Sequence, residues 1–123
     1  MKIKTSELVG AQLDWAVAKA AGLNARYSDN CGGLSIAEPY SPEDRVVWAP
    51  STDWSQGGPL IESCMVVCDY GRPLAASEKP IWFAQVWKPY GGMAGNTPLI
   101  AAMRAIVAAK LGDEIEVPEE LQP

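Results

Sequence analysis

At 123 residues, with 48 % apolar and 20 % charged residues, the chain can bury roughly two-thirds of the surface its unfolded form exposes, and its composition excludes both disorder and a membrane span. The net charge of −5 argues against nucleic acid as a partner, because phosphate binding rests on Lys and Arg. With no histidine, the commonest neutral-pH general base and every Ser-His or Cys-His nucleophile are also excluded.

In chain order, Lys2-Ile3-Lys4 alternates as a short strand, and Thr5 or Ser6 offers a cap for a helix from Glu7 to Gly22. At helical spacing Val9, Leu13, Ala16, Val17 and Ala20 gather on a core face, with Gly10, Ala11, Ala18 and Ala21 as a smooth strip beside it; Leu8 and Trp15 lie off that strip and cover a second edge of the core. Residues 24–42 read as loop around the turn signal Asp29-Asn30-Cys31-Gly32-Gly33, with room for a short strand near Leu34 to Ala37. Arg45 to Trp48 reads as a strand, and Pro50 to Pro59 as an ordered, bent connection.

Leu60 to Asp69 and Pro80 to Trp87 read as two strands of an antiparallel hairpin with a long tip. In the second, Trp82, Ala84 and Val86 face one way and Ile81, Phe83, Gln85 and Trp87 the other, which predicts a central strand covered on both sides. A second helix starts at Thr97-Pro98, with Thr97 as cap and Pro98 at the first helical position, and stops at Gly112. Its core face is Leu99, Met103, Ile106 and Val107, and its alanines predict close packing on the first helix. Asp113 to Pro118 adds a short edge strand. With no repeat and no linker, residues 1–123 read as one α+β domain: an antiparallel sheet of about four strands with two alanine-rich helices packed on one face.

Three cysteines, Cys31, Cys64 and Cys68, cannot complete a disulfide framework, which points to a reducing, cytoplasmic compartment. On a strand Cys64 and Cys68 would share a face about 13 Å apart, too far for one metal ion, so all three read as inert buried thiols. The N-terminal residues lack the continuous apolar run of a signal peptide. Leu99 to Ala109 is interrupted by Arg104 and too short to span a bilayer.

Three blocks carry a family resemblance: Met1 to Leu8 with Leu13-Asp14-Trp15-Ala16-Val17-Ala18-Lys19; Pro50-Ser51-Thr52-Asp53-Trp54-Ser55-Gln56-Gly57-Gly58-Pro59-Leu60-Ile61-Glu62; and Thr97 to Arg104 running on to Lys110-Leu111-Gly112-Asp113. Any one alone is weak, but in this order they are specific, and the chain resembles the small NinX-like phage and prophage proteins, a family of unknown function. The resemblance covers about half the chain and leaves out residues 24–45 and 72–79. It implies a bacteriophage or prophage origin and action inside an infected bacterium, and it supplies no catalytic residue.

The block from Pro50 to Glu62 is the least ordinary stretch, and it supports two readings. In one, Thr52 or Asp53 accepts nearby amides and Gly57-Gly58 permits positive φ, so the motif is structural. In the other it is a binding site formed by Ser51, Thr52, Asp53, Trp54, Gln56, Gly57, Gly58 and Glu62, with Trp54 as an apolar wall and the polar groups as selectors. Arg104 joins this set, by binding a ligand or by pairing with Asp53, Glu62 or Asp14. Gly91-Gly92-Met93-Ala94-Gly95 lacks the Lys-Ser/Thr ending of a phosphate loop, although it precedes a helix start that attracts anions.

Five Trp and four Tyr against one Phe match recognition surfaces, where rings with a polar handle are enriched. Trp15 and Trp82 read as core, whereas Trp48, Trp54, Trp87 and Tyr90 flank turns. The preferred function is a non-enzymatic accessory protein that binds a host or phage protein, with no cofactor, metal, nucleic acid or membrane. The alternative is a small-ligand binder or carboxylate-dependent hydrolase with Asp53, Glu62 and Arg104 in its pocket. Self-association through edge strands and exposed rings is a third possibility.

Overall fold

The computed structural model describes residues 1–28, 33–38, 41–71, 81–86 and 92–121. The third helix organises them. In α3 (Pro98–Leu111) the Thr97 hydroxyl accepts the Ile100 N–H at 3.1 Å, Pro98 occupies the first turn, and Gly112 ends the helix at φ 97°. Leu99, Ala101, Ala102, Met103, Ala105, Ile106 and Val107 are all buried. A helix apolar on several sides needs neighbours on several sides, and α3 has them in α1 (Gly10–Ala20), α2 (Trp54–Ser63) and the strands β5 (Val66–Gly71), β6 (Ile81–Val86) and β7 (Met93–Gly95).

The α+β mixture is as expected, but the described strands form three small antiparallel sheets instead of one of about four strands. The first pairs β1 (Lys2–Lys4) with β8 (Glu114–Glu116), with Ile3 opposite Ile115. The second has the order β2 (Arg26–Ser28), β3 (Gly33–Glu38), β4 (Ser41–Val47), and the third the order β5, β6, β7. The two alanine-rich helices do not share one sheet face. Whereas α3 lies on the β5–β6–β7 sheet, α1 packs on α3 and β3. Buried Ala16 and Ala18 of α1, and Ala101, Ala102 and Ala105 of α3, belong to one core, where small side chains let helix backbones approach.

The first helix begins later than its capping residues suggest. Thr5 is fully buried, its hydroxyl donates to the Gly112 carbonyl at 2.7 Å, and its N–H donates to Asp113 O at 2.8 Å. It therefore ties the two chain ends together, residues 5–7 form a 3-10 turn, and α1 starts at Gly10. The shift reverses one expectation, since Val9 is 54 % exposed instead of core-facing, while Leu8 is fully buried in the core, as expected of a residue covering its second edge.

The largest correction concerns residues 50–63. The expected bent connection and the first residues of the expected strand are α2, a helix running through Gly57, Gly58 and Pro59. These residues are poor helix formers, so packing decides. A Cβ at Gly57 would stand 2.5 Å from both Leu99 Cδ2 and the Pro50 carbonyl oxygen, and only glycine lets α2 seat this closely on α3. Met65, at φ 54°, turns the chain out of the helix into β5.

The expected hairpin is present as antiparallel β5 and β6, with Asp69 opposite Phe83 and Tyr70 opposite Trp82. Its tip, residues 72–80, lies outside the described residues. Central β6 buries Ala84 and Val86 toward α3, but among the described residues its other face stays open where a covered one was expected: Phe83 is 50 % exposed and Ile81 is exposed beside it.

No helix among the described residues is long and apolar enough to cross a membrane.

Candidate functional site

The Pro50 to Glu62 block is built on an anchor from the first helix. Asp14 is buried on α1; its carboxylate accepts the Ser51 N–H at 2.8 Å, and its backbone carbonyl accepts Trp48 Nε1–H at 2.8 Å. One residue thus holds both the end of β4 and the turn that follows it. Burial pushes the Asp14 carboxyl above its ordinary range, against the opposing pull of the Ser51 amide and hydroxyl. The Ser51 hydroxyl lies close enough to favour the charged form, yet it is a buried oxygen without a partner at hydrogen-bond geometry. Asp14 is the residue that sequence reasoning underrated, although a carboxylate within the run Leu13 to Val17 is itself a signal of a specific buried acceptor.

From this anchor the chain turns into α2. The N–H groups of Thr52 and Asp53 donate to Ala49 O at 3.1 and 2.9 Å. Asp53 caps the helix, with Oδ1 accepting Ser55 N–H at 2.9 Å and the Ser55 hydroxyl at 2.6 Å. Gln56 reaches back: Oε1 accepts the Ala49 N–H at 2.7 Å and Nε2 donates to Val47 O at 2.6 Å. Ser51, Asp53, Gln56 and Gly57 therefore all have structural work within the motif, and Thr52 adds a long contact from its hydroxyl to Ala49 O at 3.4 Å.

Trp54 and Glu62 are different. Trp54, the first residue of α2, is 56 % exposed, and Glu62 points to solvent near the other end. Trp54, Gly58 and Ile61 follow i, i+4, i+7 spacing, so they share one side of the helix. Beside the indole a Cβ at Gly58 would meet nothing within 4 Å.

Arg104 does not join this group through an ion pair. Its Nε donates to Leu8 O at 2.9 Å and its Nη1 to Ala94 O at 2.8 Å, so it stitches the segment before α1 to β7. Partial burial lowers its pKa. Neither Asp53, Glu62 nor Asp14 pairs with it, because two carbonyls already hold the guanidinium.

The other rings divide by position. Trp48 is buried, Trp15 is half-buried with Lys19 Nζ 5.4 Å from its ring centre, and Trp82 lies 5.1 Å from Tyr70, centre to centre. Trp87 and Tyr90 lie outside the described residues, as does Cys31. Cys64 and Cys68 are free and half-buried; they do not share a strand, since Cys64 caps the end of α2 and only Cys68 lies in β5. Burial first, and then the charge of Asp69, push the Cys68 thiol up. Among the described residues no three His, Cys, Asp or Glu side chains gather as a metal site.

With this geometry in place, comparison with known proteins is decisive on one point: the family model described as Bacteriophage P22, NinX matches residues 4–110. The chain belongs to the NinX family. The match contains α1, α2 and nearly all of α3, and with them the Asp14 anchor and the Trp54 surface. No curated protein matches the chain. Family membership makes this a phage-associated protein.

Proposed function

We propose that this NinX-family protein is a non-enzymatic accessory module that binds a host or phage protein in the cytoplasm of the infected bacterium, through the Trp54 side of α2. The observation that carries the reading is the exposed Trp54 indole at the first residue of a helix whose start is fastened by Asp14, Asp53 and Gln56. A large ring on a rigid support loses little conformational freedom on binding, which is why such rings act as interface anchors. Bare Gly58 leaves a shallow place beside the indole for an apolar side chain of the partner. A pocket enclosing Asp53, Glu62 and Arg104 has less support, since Asp53 caps α2 and Arg104 is held by Leu8 and Ala94.

The test compares wild-type protein and a Trp54→Ala variant of equal melting temperature as bait in host lysate taken before and after infection. A protein retained by the wild type and lost by the variant supports the reading. Equal retention by both rejects Trp54 as the anchor.

A further inference from the structure

A cleft of about 340 Å3 opens at the start of α1, away from the Trp54 surface. Its walls are of three kinds. Val9, Tyr27 and Leu121 are apolar; Gly10, Ala11 and Gln12 are the first turn of α1; and Glu120 stands at the rim.

The first amides of an α-helix have no acceptor within the helix and sit at the positive end of its dipole. In α1, eleven residues long, the N-cap residue is Val9, which has no side-chain acceptor, and the first turn contains no acid. Gly10 is at φ 56°, with open space where a Cβ would stand, so the backbone here is bare toward the cleft. Independently of the helix end, Gln12 is only 7 % exposed and lines the cleft, yet its side-chain amide makes no hydrogen bond among the described residues. Ser51 Oγ is the only fully buried side-chain polar atom without a partner among the described residues, so the Gln12 amide is open to the cleft and offers its donors and acceptor to a polar occupant there.

We propose that this cleft binds a small apolar α-amino acid as its zwitterion. The carboxylate is received by the free amides of Gly10 to Gln12 and by the Gln12 side-chain NH2. The ammonium group faces Glu120, which has no ion-pair partner among the described residues. The side chain lies on Val9, Tyr27 and Leu121. Glu120 is what distinguishes this ligand from a simple anion: phosphate or a fatty carboxylate would meet the same amides but also an unbalanced like charge at the rim.

The test is a titration of the isotope-labelled full chain with L-leucine, followed by backbone amide shifts, beside isocaproate, which lacks the ammonium group, and isoamylamine, which lacks the carboxylate. Leucine is expected to give saturable shifts at Gly10, Ala11 and Gln12, and each fragment to bind about tenfold more weakly or worse, as loss of one charge-assisted contact implies. Glu120→Gln alters an exposed position and leaves the fold intact; it should weaken leucine about tenfold while leaving isocaproate no weaker. Gln12→Glu should weaken both carboxylates, and if that variant does not fold, Glu120→Gln alone decides. The proposal is overturned by absence of saturable shifts at these amides, by isocaproate binding as tightly as leucine, or by Glu120→Gln binding leucine like the wild type.

Discussion

The carboxylate of Asp14 accepts the backbone N–H of Ser51 at 2.8 Å across a sequence separation of 37 residues, and both residues are buried. This bond fixes where the chain leaves β4 and enters α2, so it also fixes where Trp54 is presented. Local structure, core packing and the candidate surface meet at a single contact.

Removing the acceptor leaves the Ser51 amide buried and unpaired, so Asp14→Ala should destabilise the protein by about 1–3 kcal/mol, read as a shift in the urea midpoint at unchanged slope. Asp14→Asn keeps an oxygen acceptor and should lose less. Their pH dependence has a definite sign. Because burial raises the native pKa of Asp14 above the ordinary 3.8, the native state holds this proton more tightly than the unfolded chain does. Its contribution is fully present below 3.8 and is lost as pH rises through the raised native value. The stability of wild type minus that of Asp14→Asn should fall across that window, and a rising difference would contradict the burial argument.

The adjacent glycines of α2 should respond in opposite directions. Gly57→Ala places a methyl group 2.5 Å from the Pro50 carbonyl oxygen and from Leu99 Cδ2; the backbone oxygen has little freedom to retreat, and a loss of about 1–3 kcal/mol is expected. Gly58→Ala meets open space in a helical position and should stabilise by about 0.5–1 kcal/mol. Thermal unfolding of the two variants checks both signs, and equal effects would show that α2 does not seat on α3 through Gly57.

Arg104 offers a third check. Arg104→Met keeps much of the aliphatic stem but removes the donors to Leu8 O and Ala94 O. Stability should fall by about 1 kcal/mol, chiefly from the part-buried Leu8 carbonyl, since the Ala94 carbonyl is exposed and regains a partner in water. Trp54→Ala, by contrast, should stay within about 0.5 kcal/mol of wild type, since the ring is largely exposed. Native-state hydrogen exchange for Arg104→Met should show early opening at the segment before α1 and at β7 rather than at α2.

Legibility followed the range of the interactions. The helix α3 was readable to the residue because its stop and start signals are local: Thr97 bonds three residues ahead, Pro98 fits the first turn, and Gly112 closes it. The pairing of β5 with β6 was readable from two apolar runs close in sequence. The helix α2 was not, since Gly57-Gly58-Pro59 carries turn chemistry and becomes helical only where Leu99 and Met103 are brought against Gly57. Trp54 stood out in the sequence, but its exposure could not be read from it.

By itself, the sequence determined the α+β composition, the capped third helix, the principal hairpin and the resemblance to NinX proteins, all of which rest on patterns within a few residues or on motif order. Only the tertiary structure decided that the strands divide into three sheets, that Thr5 ties to Gly112 and Arg104 to Leu8, and that Asp14 anchors Ser51. Those contacts join residues 107, 96 and 37 positions apart. Buried donors and acceptors must be paired, but which distant partner each finds depends on how the core packs.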